Sequence, residues 1–288
     1  MIEIEIVVEQ QAGGAWDALA EAARVLTGEL AGPVEETTGL DLGPGVRLAL
    51  VDPDAFAQRR EAYVRRVCET VLAGEALAAV ADPAKREKAE AALRKGPASA
   101  DSDRRISCVP SGRVVQDEEG RWVLLLAPAL LAGAPQRAPL RAVLAHLLTH
   151  QAQIRAGGPR PGADAVEALL LHRTSGGTRE DDPVLGALWE GHARWATRRL
   201  LARDQAGERK TARAARLLSR LPGVRAESDT HEKAVRFVRT LVEAGGTETV
   251  NRIWTDRSLV PTRRELTSPA RWLARTGLGP AEGGPPEG

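Results

Sequence analysis

Ala145-His146-Leu147-Leu148-Thr149-His150-Gln151-Ala152-Gln153 sets two histidines four residues apart within an apolar-periodic segment. Pro139 opens the segment, and Leu140, Val143, Leu144, Leu147 and Leu148 recur at helical spacing, which predicts a helix over 139–155. Side chains four apart project from one helix face a single turn apart, so both imidazoles can reach one zinc ion. Chance alone puts such pairs on many helices, where they are packed or half-exposed residues. A second segment shifts the balance. Glu190-Gly191-His192-Ala193 follows on a helix predicted over 183–204, directly after the apolar run Val184-Leu185-Gly186-Ala187-Leu188-Trp189. A charge in such surroundings needs a partner. His146, His150 and Glu190 together make a two-histidine, one-carboxylate ligand set.

Working outward, the chain changes character near this helix. Residues 2–8 alternate Ile and Val with Glu and read as a half-buried strand, and Trp16 to Leu26 reads as a helix. Gly43-Pro44-Gly45 is a turn before a strand at 46–51, a helix follows over 53–72, and Asp82-Pro83 starts a charged helix to about residue 95. Gly96 to Asp103 is small and polar, a surface loop. Residues 106–109 and Val114-Val115, then Trp122 to Ala127 across Asp117-Glu118-Glu119-Gly120, read as strands or a hairpin. From Pro139 the chain is nearly all helix, with segments expected at 139–155, 163–173, 183–204, 208–221, 230–244, 246–254 and 268–275. The expected plan is an α/β upper lobe over 1–135, a helical lobe over 136–278 carrying the histidines and Glu190, and a disordered Pro/Gly-rich tail over 279–288, with a cleft between the lobes.

Composition removes several function classes. The 288 residues carry 43% apolar and 27% charged residues, ordinary for a folded protein of one large domain or two packed lobes. A net charge of +1 argues against a global attraction to nucleic acid or to an anionic membrane. Cys68 and Cys108 lack metal-ligand spacing and are expected to be small buried hydrophobes. The acidic, alternating N-terminus is unlike a signal peptide, and the most apolar run, Trp122 to Leu131, is too short for a membrane span, so the expected location is the cytoplasm.

Three blocks resemble a known family, the actinobacterial zincin-like metallopeptidases once catalogued as a domain of unknown function linked to deazaflavin-coenzyme biosynthesis. The 145–153 segment is similar to that family's HExTHxxQ helix, and Leu188-Trp189-Glu190-Gly191-His192-Ala193 to its EGHAD helix. The third block runs from Phe237-Val238 through Gly245-Gly246, Asn251-Arg252-Ile253-Trp254, Leu259-Val260-Pro261-Thr262 and Glu265-Leu266 to Pro269-Ala270-Arg271-Trp272-Leu273. The resemblance covers about residues 140–276. It implies an α+β zincin-like fold and zinc held by His146, His150 and Glu190.

Two positions depart from the family pattern. Leu147 stands where the family has the glutamate that takes a proton from zinc-bound water, and leucine can neither accept nor donate one. Arg194 stands where the family has an aspartate, a carboxylate of the kind that orients a metal-bound histidine; a guanidinium there is expected to pair with Glu190 one turn earlier. Thr149 and His192 are placed beside the site, His192 either facing substrate or making a structural hydrogen bond.

Function then has three readings. The first is a zincin homologue without proteolytic activity, binding a peptide or protein ligand in the ancestral cleft. The second is a residually active zinc hydrolase with another carboxylate, Glu167 being the candidate, as base. The third is a helical interaction module built on Arg194, Arg198, Arg199, Arg203, Arg209, Lys210, Arg213, Arg216, Arg220 and Arg225. Runs of this kind are usually solvated faces paired with nearby acids, and His172 and His231 carry no signal.

Overall fold

The structure, a computed structural model, describes residues 4–95, 112–131, 137–157, 161–174, 178–202 and 222–278. The expected loop from Gly96, the strand at 106–109, Cys108, the helix over 208–221 with the basic residues from Arg203 to Arg220 and the tail over 279–288 lie outside these residues.

Four strands form one sheet: β1 (Glu5–Gln11), β2 (Gly45–Val51), β3 (Gly112–Gln116) and β4 (Trp122–Leu126). Their order is β1-β2-β4-β3, with β1, β2 and β4 mutually parallel and β3 antiparallel to β4. The first strand pairs over 5–11, three residues later than its alternation predicts, because its partner begins at Gly45 and ends at Val51 opposite Gln11. The β3–β4 hairpin turns at Asp117–Gly120, where Gly120 has φ 79° and its carbonyl accepts from Gln116 Nε2 at 2.7 Å. A mixed sheet with helices is the expected α+β class.

Side-chain alternation on the sheet sorts residues to two faces. Leu48, Leu50, Leu124 and Leu126 enter the main core, while Ala49, Val51, Val123 and Leu125 enter a smaller one with Phe56 and Tyr63. Helix α1 (Asp17–Thr38) connects β1 to β2 and packs on the main-core side. It runs twelve residues past the expected end at Leu26, through Gly28, Gly32 and Pro33, because Leu30, Ala31, Val34 and Thr38 continue the buried stripe. Packing thus outweighs the poor helix propensity of Gly and Pro. Helix α2 (Pro53–Leu72) covers the other face; Asp52 caps it and Arg66 donates to the Gln116 carbonyl at the end of β3. The short α3 (Glu75–Ala78) and the charged α4 (Pro83–Lys95) follow.

The C-terminal half is helical: α5 (Arg137–Gly157), α6 (Pro161–Thr174), α7 (Leu185–Leu201), α8 (Pro222–Thr255), α9 (Arg263–Thr267) and α10 (Pro269–Thr276). Helix α8 is broken at Gly245-Gly246, where Gly246 has φ 74°, which matches the boundary expected between 244 and 246. Beyond the break Asn251 Nδ2 donates to the Thr38 and Gly39 carbonyls, at 2.9 and 3.2 Å, and so closes the end of α1. Trp272 Nε1 donates to the Leu259 carbonyl at 2.6 Å, and Thr262 with Glu265 forms a capping box on α9. The main core is continuous from Ala20 through Leu48 and Leu147 to Trp272, so the site helices pack directly on the sheet layer. Cys68 is half-buried, more accessible than expected. Among the described residues no helix is long and apolar enough to cross a membrane.

Two glycines permit close approaches that position the site. Gly112 brings β3 onto α5: a Cβ there would lie 2.7 Å from Leu147 Cδ1. Gly191 brings α7 onto α8, where a Cβ would collide with Ala234 and its backbone. Forcing a methyl group into such a contact costs about 1–3 kcal/mol. Gly191→Ala is expected to lower the unfolding free energy by that amount, read as a lower urea midpoint at an unchanged m value by tryptophan fluorescence.

Candidate metal centre

Helix α5 turns His146 and His150 to one side, and α7 brings Glu190 against them. The Glu190 carboxylate lies 3.4 Å from His146 Nε2 and 3.6 Å from His150 Nε2, and the two Nε2 atoms are 3.1 Å apart. All the ligand atoms fall within 4.8 Å of one another. Burial pushes the Glu190 carboxyl up, but the imidazoles of His146 and His150 beside it outweigh this and hold the group well below the usual carboxylate range. Burial, reinforced by the neighbouring His150, pushes His146 down, towards the neutral imidazole that coordinates metal. Two imidazole nitrogens and one carboxylate suit zinc, and three protein ligands are the number found in sites that keep an open fourth position.

Gln153, one turn beyond His150, fixes the tautomers. Its Nε2 donates to the Trp189 carbonyl at 3.0 Å, so its Oε1 faces His150 Nδ1 at 2.8 Å. That assignment of the amide places the proton of His150 on Nδ1 and leaves the Nε2 lone pair towards Glu190 and His146. Gln153 Nε2 also reaches His192 Nδ1 at 3.2 Å, which puts the His192 proton on Nε2, buried without a partner among the described residues. Trp189 stacks on His150 at 5.3 Å between centroids, and Trp195 and Trp254 stack on His192 at 5.6 Å each.

The flanking residues differ from their expected places. Arg194 forms no ion pair with Glu190 among the described residues, because the carboxylate is turned towards the imidazoles. Its charge instead bears on His146 and on Glu232. The orienting group for His150 is Gln153, from the same helix. Thr149 is buried and donates to the Ala145 carbonyl at 2.9 Å, away from the cleft. His192 is fully buried behind the site, so of its two readings the structural hydrogen bond holds. Leu147 is 1% exposed. Arg198 pairs with Glu232 at 3.0 and 2.5 Å, and Arg199 lies over the Trp195 ring, so these members of the basic run are engaged within the fold.

Beside the three ligand groups opens a cleft of about 510 Å³. Arg60, Tyr63, Arg113, Trp122 and His231 line it, with Glu190 its only acid among the described residues. Glu167 is not among the residues that line it: its Oε1 sits against Gly74, 2.7 Å from where a Cβ on that glycine would be. The aromatic and basic wall and His231 escaped sequence reading, since α2, β3 and α8 reach the cleft only through tertiary packing. Gln153 had a local signal, its i+3 spacing from His150.

A pH dependence of stability follows from His192. Burial, with the neighbouring His150 adding, pushes it from 6.5 down to about 3. The unfolded chain therefore takes up this proton first as pH falls, so the contribution of neutral His192 is complete above about 6.5 and is lost between there and about 3. The slope is on the order of 1.4 kcal/mol per pH unit. His192→Phe, which keeps the stacking, is expected to flatten the dependence of the urea midpoint on pH across that window.

Comparison with known proteins agrees with this architecture. Residues 187–273 match the model of a family described as zincin-like metallopeptidase. The match begins three residues before Glu190 and spans the Gly245-Gly246, Asn251 and Trp272 features, while His146 and His150 precede it. No curated protein matches the chain significantly. Among solved structures, a candidate hydrolase with a novel fold from Chloroflexus aurantiacus is similar in fold, with TM-score 0.55 over 92% of each chain at 14% identity.

Proposed function

We propose that this chain is a zincin-like metallopeptidase homologue that holds zinc through His146, His150 and Glu190 and binds a peptide-like ligand in the adjoining cleft without efficient hydrolysis. One observation carries the reading: the ligand atoms converge within 4.8 Å, yet the position after His146 is a buried leucine and, among the described residues, the cleft has no acid besides Glu190. Zinc in such a site would supply Lewis acidity and lower the pKa of a coordinated water to about 7. The protein would supply orientation, through Gln153 on His150 and Trp189 stacked on the same ring. It would not supply proton transfer. Glu190 is committed to both imidazoles, and Leu147 has no group to accept a proton, which forfeits roughly 10²–10⁴-fold in rate.

Elemental analysis and a peptidase assay on the zinc-dialysed protein test the two halves separately. One zinc per chain is expected, falling to background in His146→Ala, and zinc at about 100 times its Kd should stabilise the native protein by about 2.7 kcal/mol. Peptide hydrolysis is expected to equal that of His146→Ala. Hydrolysis that His146→Ala abolishes would overturn the claim of inactivity, and metal-free protein after dialysis would overturn the claim of a zinc site.

A further inference from the structure

The wall of the cleft opposite the acid is basic and hydrogen-bonding. Arg113 is exposed on β3, one residue after the Gly112 contact that seats this strand on Leu147. On the strand it shares the face of Val115, which belongs to the smaller core under α2. Tyr63 comes from α2 on that side, its ring edge-on to Trp122 at 6.0 Å. The charges of Arg113 and Arg66 act on the Tyr63 hydroxyl against the effect of its burial, which places the guanidinium and the phenol in one electrostatic neighbourhood. Among the described residues neither the Arg113 guanidinium nor the Tyr63 hydroxyl has a hydrogen-bond or ion-pair partner, although both line the cleft. Arg66, by contrast, is held by the Gln116 carbonyl. Arg60 adds a further positive charge to the lining.

We propose that Arg113 and Tyr63 bind the free C-terminal carboxylate of a short peptide whose chain extends along the cleft towards His146, His150 and Glu190. The inference rests on the peptide-binding reading above and names its ligand class. A guanidinium offers two parallel N–H donors to a carboxylate and a phenol adds a third, a set that fits two carboxylate oxygens. Among the described residues Glu190 is the one acid that lines the cleft, and it is turned towards the imidazoles and not towards such an anion. The remaining wall, with Val64, Val114, Leu185 and Trp122, is apolar and suits an apolar side chain next to the terminus.

The test compares acetyl-Ala-Ala-Phe carrying a free carboxylate with its C-terminal amide, titrated against the full chain by calorimetry and by the fluorescence of the cleft tryptophans. The acid is expected to bind at least about 10-fold more tightly than the amide, the range of a charged hydrogen bond. Arg113→Gln should bring the acid down to the affinity of the amide, and Tyr63→Phe should reduce the preference several-fold. Arg113→Lys, which keeps the charge and loses the fork, should retain part of it and serves if the glutamine variant fails to fold. Equal binding of acid and amide, no binding of either, or a preference that persists in folded Arg113→Gln would overturn the proposal. Both titrations are run on zinc-loaded and on chelator-treated protein. Loss of the zinc site alone leaves the acid-over-amide preference intact, so failure of the metal reading and failure of this one give different results.

Discussion

The side-chain amide of Gln153 is the joint on which the site depends. It bonds three groups at once: His150 on its own helix, the Trp189 backbone on α7, and His192 behind the site. Each bond constrains another. Donation to the Trp189 carbonyl sets which end of the amide faces His150, that sets the imidazole tautomer, and the tautomer sets which nitrogen faces Glu190. A glutamate at 153 would lack the donor for Trp189 and His192, and an apolar residue would leave the buried Nδ1 of His150 unsatisfied. The partner of His150 Nδ1 is thus a neutral amide from the same helix.

The same joint explains why α7 must lie so close. Trp189, Glu190 and His192 all belong to one turn of that helix, and all three must reach α5 or its side chains. Gly191, in the middle of that turn, removes the one side chain that would hold α7 off α8. The stacking of Trp254 on His192 then links the second half of α8 to the same point, and Asn251, one turn earlier, closes the end of α1. The C-terminal block is thus a set of contacts that press α8 onto the site and onto the first crossover helix. It contributes no side chain to the metal ligand set.

What could be read from the sequence follows from how local each determinant is. The i, i+4 histidines, the apolar stripe of α5 and the Gly245-Gly246 break are contained within a few residues, and the structure has them where periodicity puts them. Glu190 stood out because its neighbours in sequence are apolar. The long extension of α1 was not legible, since Gly28, Gly32 and Pro33 argue locally for a stop and only packing on α5 and the sheet overrules them. The Glu190–Arg194 pair failed for the same reason in reverse: helical spacing permits it, but the imidazoles across the interface claim the carboxylate. Arg113 and Tyr63 carry no pattern at all, because β3 and α2 meet at the cleft only once the sheet has formed.

The convergence of His146, His150 and Glu190 also has a physical basis independent of catalysis. Glu190 carries a charge into a region walled by tryptophan and leucine, and the imidazoles of His146 and His150 are what make that charge tolerable. Removing either histidine would take away part of the surroundings that face the carboxylate, and removing Glu190 would leave two imidazole nitrogens 3.1 Å apart without the acid beside them. Leu147 lies outside this balance. Its side chain serves the core beneath β3, against Gly112, where a carboxylate would be buried among Val143 and Leu126. The three groups and Leu147 are therefore under separate constraints: the first are tied to the α5–α7 interface, the second to the packing of β3 on α5.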